Sequence, residues 1–167
     1  MTYRTDPPVE GSERTMLVGW LDYHRDTLAT KCEGLTAEQL DARPIASSAM
    51  SLAGLMRHLG EVERTYFQRV FAGGEVEEVA FEEDPFREDP SADYSSAPDS
   101  DPAVARANWR AAVNASRLII GDTKALTDTG ESGLPLRFWL VKTLNEYARH
   151  NGHADLLREL IDGTTGE

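Results

Sequence analysis

Apolar residues recur at spacings of three and four along four long stretches of this chain, and nowhere do they alternate with polar residues over the length of a strand. That period lines one face of an α-helix. An amphipathic helix must bury its stripe against another element. Four such stripes in 167 residues predict a single all-α domain, 1–167, built as a four-helix bundle with one long crossover loop.

Taken in order, residues 1–10 read as a loose leader, with Pro7-Pro8 opposing regular structure. The first long helix covers about 11–33 on the stripe Leu17, Trp20, Leu21, His24 and Leu28, and Gly34 ends it. His24 is read as a core histidine with one hydrogen-bond partner. Thr36 and Gln39 are spaced as a capping box for a short helical turn. Ser51 is placed to cap a second long helix over 52–71, whose stripe runs through Leu52, Leu55, Met56, Leu59, Val62, Tyr66 and Val70. His58 points to the core side of that helix. Glu61 and Glu63 read as solvated groups or supports of a ligand before they read as ligands. Gly73-Gly74 stops the helix, and 73–101 forms a long acidic loop that Phe81, Phe86 and Tyr94 could pin down. A third helix opens at Asp101-Pro102 and fades near 125, carrying Val104, Ala107, Trp109, Ala111, Val113, Ala115, Leu118 and Ile119. The fourth spans about 135–162 and stops at Gly163. Its stripe is Leu136, Leu140, Leu144, Tyr147, Ala154, Leu157 and Ile161.

Two of the four histidines and a glutamate sit together on this last helix, within Asn145-Glu146-Tyr147-Ala148-Arg149-His150-Asn151-Gly152-His153. Residues i and i+4 stack on one helical face, so Glu146 and His150 can grip one ion without distorting the backbone. His153 can lean toward the same face. Bundles build metal sites from side chains on facing helices, which brings His58 in as the third ligand. Two imidazoles and a carboxylate leave coordination positions open, the arrangement of a catalytic ion, and suit Zn²⁺, Ni²⁺ or Fe²⁺. The plain alternative is a buried histidine on one helix and a solvated pair on another.

Composition removes other functions. A formal net charge of −12 leaves no basic excess for nucleic acid or for an anionic membrane surface. No apolar run approaches the roughly 20 residues that span a bilayer. One cysteine, Cys32, excludes an intramolecular disulfide and a cysteine zinc cluster, and it reads as a buried filler. With no signal peptide in residues 1–14, the expected location is the cytoplasm. Trp20, Trp109 and Trp139 read as core or interface residues. Arg57, Arg149 and Arg158 read first as salt-bridge partners of Glu61, Asp155 or Glu159, and second as holders of a cosubstrate.

Arg149-His150-Asn151-Gly152-His153-Ala154-Asp155-Leu156-Leu157-Arg158-Glu159 resembles the C-terminal signature of the DinB/YfiT-like superfamily of bundle metalloproteins. Met50-Ser51-Leu52-Ala53-Gly54-Leu55-Met56-Arg57-His58-Leu59 is similar to its helix-two signature, and the likeness runs from about residue 14 to 166. Many members hold the ion with three histidines, the last two as H-x-x-x-H. Here Glu146 replaces the first of that pair, which is the His/Glu/His set of the mycothiol-dependent maleylpyruvate isomerase branch. The resemblance implies His58, Glu146 and His150 as ligands of a divalent ion, Zn or Ni, with His153 supporting them or facing substrate. Glu61 and Arg149 are further candidates for a supporting role on their position alone. It implies a thiol S-transferase that joins a low-molecular-weight thiol of the mycothiol or bacillithiol type to a small electrophile, and a homodimer. The isomerase carries a further C-terminal domain at its active site, and this chain ends just past the fourth helix, so isomerase activity is not expected.

Two other functions compete. One is a metal-dependent hydrolase in which an ion-activated water attacks and Glu61 serves as base. The other is a non-catalytic dimeric metal-binding stress protein.

Overall fold

The computed structural model describes residues 4–75 and 101–165. The expectations for Phe81, Phe86, Tyr94 and most of the acidic loop lie outside these residues. Four long helices form the bundle: α1 (Glu13–Lys31), α3 (Leu52–Glu63) with a π-helical continuation (Arg64–Phe71), α4 (Pro102–Asp122) and α5 (Leu136–Asp162). A short α2 (Ala37–Asp41) follows α1, and a 3-10 turn (Gly130–Ser132) precedes α5. There is no strand among the described residues.

Local chemistry sets the ends. Ser12, Thr36, Ser51 and Asp101 each accept a backbone N–H of the first turn, and Thr36 with Gln39 completes the capping box. Pro102 fills the first turn of α4, and Gly163 takes the left-handed conformation that ends α5. The core is formed by Leu21 and Leu28 of α1, Leu52, Leu55, Met56 and Leu59 of α3, Trp109 and Val113 of α4, and Leu136, Leu140, Tyr147 and Leu157 of α5. Gly60 brings α3 close to α4: a Cβ there would lie 3.3 Å from Trp109 Cα. No helix among the described residues is long and apolar enough to cross a membrane.

Several expectations change in detail. The second long helix is not α throughout. From Arg64 it winds with the wider i to i+5 repeat, seen in Ala72 N–H donating to Phe67 O at 3.0 Å. Over two turns an apolar pattern cannot separate the two repeats. On α4 the buried face is Pro102, Ala105, Trp109, Ala112, Val113, Ser116 and Ile120, while Val104 and Leu118 face solvent. Alanines on every side of this helix hide which face turns inward. Of the tryptophans read as core or interface residues, Trp109 and Trp139 are in the core and Trp20 is 40% exposed. Within the leader, the described residues Arg4 and Pro8 contact α1. Arg4 lies over the Tyr23 ring at 4.4 Å and donates to Thr27, and Pro8 occupies the space a side chain at Gly19 would need.

Glu63, expected in solvent or beside a ligand, is fully buried and paired with buried Arg25 through two hydrogen bonds of 2.8 Å. Burial disfavours the Arg25 charge, and the facing carboxylate outweighs it and holds the guanidinium protonated. Arg158 does not pair with Asp155 or Glu159. It binds Asp162 and donates to the carbonyls of Lys31 and Glu33, satisfying the C-terminal end of α1 from across the bundle.

Candidate metal centre

His58 on α3 and Glu146 and His150 on α5 meet at one edge of the helix pair. Each offers one donor atom, and the three atoms lie within 4.8 Å of one another. Glu146 Oε2 is 3.8 Å from His58 Nε2 and 3.6 Å from His150 Nε2. Both separations exceed a normal hydrogen bond. They approach the roughly 3.4 Å expected between donors that bind one ion tetrahedrally at about 2.1 Å. The imidazole rings are 4.5 Å apart and tilted by 60°, so they converge rather than stack. The His58, Glu146 and His150 side chains are 13%, 15% and 4% exposed, so the cluster is largely buried and touches solvent through His58 and Glu146. The residues present fit a divalent ion.

Charge and protonation also suit ligation. The imidazoles of His150 and His58 hold the Glu146 carboxyl far below the usual carboxylate range, so it is ionised at neutral pH. Burial lowers the His150 pKa, against the pull of Glu146, and keeps the ring neutral. His153 Nδ1 lies 3.3 Å from His150 Nδ1. A proton on His150 Nδ1 donated to His153 leaves His150 Nε2 free to ligate, and such outer contacts fix the tautomer and angle of a ligand. His153→Ala is therefore expected to weaken metal binding about 10–100-fold without loss of fold, measured by competition against a chromophoric chelator.

The other expected site residues separate. Glu61 is bound to Arg64 one turn on, not to His58 or Arg57. Arg149 is exposed on α5. Arg57 is half-buried, and burial lowers its pKa. His24 is a half-buried histidine of α1 held by Asn151, whose Nδ2 lies 3.2 Å from its Nδ1 and donates to its carbonyl oxygen. Cys32 is buried, and burial pushes its thiol up to about 12. In the sequence Tyr66 is simply one residue of the apolar stripe over 52–71. It sits in the π segment against Trp139, with Lys142 Nζ 4.6 Å over its ring. Burial and then the charge of Glu146 push its phenol up to about 12. An aromatic core position gives no sequence signal for this placement.

His24 and His150 both have pKa values lowered by burial from an ordinary 6.5. The unfolded chain therefore binds more protons than the fold below about 6.5. Their contribution to stability is complete above that pH and is lost as pH falls. The Tm of metal-free protein is expected to decline from pH 7.5 to 5.5. A Tm that held constant or rose would contradict these environments.

The family model for mycothiol-S-transferase matches residues 16–163, a span that includes both helices of the His58, Glu146 and His150 cluster. The chain belongs to the mycothiol-S-transferase family. This is a DinB/YfiT-like family associated with mycothiol, in agreement with the resemblance of the two helix signatures. No curated protein and no solved structure matches the chain. The family supports a thiol S-transferase and implies a thiol substrate.

Proposed function

We propose that this chain is a divalent-metal-dependent mycothiol S-transferase, with His58, Glu146 and His150 as ligands of Zn²⁺ or Ni²⁺. One observation carries the reading: three metal-ligating donors converge within 4.8 Å in a chain of this family. A divalent cation held there stabilises thiolate over thiol, and thiolate is the nucleophilic form. The protein's own groups prepare the site. Glu146 supplies a fixed negative charge, His153 orients His150, and the core behind the cluster excludes water from one side. The electrophile reaches the cluster from the solvent side of His58 and Glu146, the two partly exposed ligands. Cys32 takes no part, since its thiol is buried and held protonated. Cys32→Ala is expected to retain full transfer activity, and a large loss in steady-state rate would contradict this.

The hydrolase reading is weaker because its base, Glu61, is engaged by Arg64. The proposed enzyme acts in the cytoplasm as a homodimer. The exposed Phe138, Val141, Leu156 and Leu160 on the outer face of α5 favour a partner copy. The test is mycothiol consumption with small alkyl halides and enones, before and after chelation, with bacillithiol as the comparison thiol. Consumption that needs the metal and prefers mycothiol supports the reading. Metal-loaded protein that consumes neither thiol with any electrophile overturns it.

A further inference from the structure

Behind the ligand cluster runs a buried polar chain that the transfer chemistry does not use. Arg25 Nε and Nη2 donate to the two carboxylate oxygens of Glu63. Tyr147 Oη donates to Glu63 Oε1 at 3.0 Å, and Trp109 Nε1 donates to Tyr147 Oη at 2.8 Å. Ser116 Oγ donates to the Glu63 backbone carbonyl at 3.3 Å. Arg25, Glu63 and Tyr147 are at most 1% exposed. The Glu63 carboxylate thus joins α1, α3 and α5, and α4 is tied in through the Tyr147 hydroxyl and the Glu63 backbone carbonyl.

Stability alone does not account for it. Well-packed apolar residues of similar volume commonly hold a core as well as a buried ion pair does, and the better-attested use of such pairs is to fix register. Apolar burial is non-directional, whereas hydrogen bonds have a defined length and direction. Register matters most between α3 and α5, which carry the ligands. Glu63 follows His58 by five residues, about 7.5 Å along the axis. Tyr147 is the residue after Glu146. A metal tolerates errors of only about 0.2 Å in ligand distance.

We infer that the Arg25–Glu63–Tyr147 chain is a positioning device that sets the register of α3 against α5, and so the spacing of His58 from Glu146 and His150. It rests on the metal-dependent reading above. None of the three residues touches the ion or substrate. Their effect reaches the site through the helix backbones.

The test separates positioning from stability. Tyr147→Phe keeps the ring and deletes only the donor to Glu63. The double variant Arg25→Met with Glu63→Leu replaces the ion pair by apolar side chains of similar size. Ile120→Val, in the buried face of α4 and outside the polar chain, is the control for ordinary destabilisation. Zn²⁺ and Co²⁺ affinities are measured by chelator competition, with the electronic spectrum of the Co²⁺ form and the Tm of each protein with and without metal. Both tie variants are expected to bind metal about 10–100-fold more weakly, with an altered Co²⁺ spectrum and a smaller metal-induced rise in Tm. Ile120→Val is expected to keep wild-type affinity whatever its own Tm. Wild-type affinity in either tie variant overturns the inference and leaves the proposed function standing, as does an equal loss of affinity in Ile120→Val. A wild-type protein that binds neither ion overturns both.

Discussion

His58→Ala is expected to lose bound metal and to lower mycothiol transfer by about three orders of magnitude, close to 4 kcal/mol of transition-state stabilisation. The variant leaves Glu146 and His150 on one helix, and an i, i+4 pair alone is a weak chelator. It also removes the cluster's one donor on α3, so the pair that remains no longer bridges the two helices. Fold stability should change little without metal. His58 is at the rim of the core, and its neighbours Leu55, Leu59 and Val62 carry the packing of that helix. The prediction is therefore specific: metal content and kcat/KM fall together, while the Tm of the metal-free protein stays within a few degrees of wild type. A variant that keeps its metal would show that the ion, where present, sits elsewhere.

The second large effect concerns stability. Arg25→Met leaves the Glu63 carboxylate fully buried with no cation beside it. Breaking a buried pair in this way costs about 3–5 kcal/mol. For a domain of this size that is a fall in Tm of roughly 10 °C or more. Removing both charges, in Arg25→Met with Glu63→Leu, should recover much of that loss, short of the roughly 1–3 kcal/mol due to the buried Tyr147 hydroxyl, which loses its acceptor. The contrast between single and double variants in thermal unfolding is the signature, because apolar substitutions that merely fit poorly would add. If the single variant unfolds at the wild-type temperature, the pair carries little of its charge inside the core.

The sequence was most legible where a physical rule is local. Caps at Ser51 and Asp101, the capping box at Thr36 and the stop at Gly163 each depend on a few adjacent residues, and each is present. The juxtaposition of His58 with Glu146 and His150 followed from one step beyond that, since an inward histidine on one helix must face something on another. What could not be read depends on tertiary partners. Glu63 looks like any helical glutamate until Arg25, 38 residues away, is placed against it. The inward face of α4 is ambiguous because alanine and valine occur on all its sides. The π winding after Glu63 has no composition signal, as Arg64 to Phe71 would serve an α-helix equally well. Trp20 lies on the stripe of α1 yet packs edge-on against Tyr23 at the surface. A period of three and four marks the apolar side of a helix but not the depth to which each residue is covered.

The most direct measurement is the metal content of the wild-type protein by elemental analysis, after purification without a metal-binding tag. About one equivalent of Zn or Ni per chain, removed by chelation together with mycothiol transfer and restored with it, is the result the account predicts. Transfer at the wild-type rate from protein that carries less than about a tenth of an equivalent of any divalent metal would contradict it. The His58, Glu146 and His150 cluster would then be a structural contact between α3 and α5, and the thiol would have to be activated by other residues.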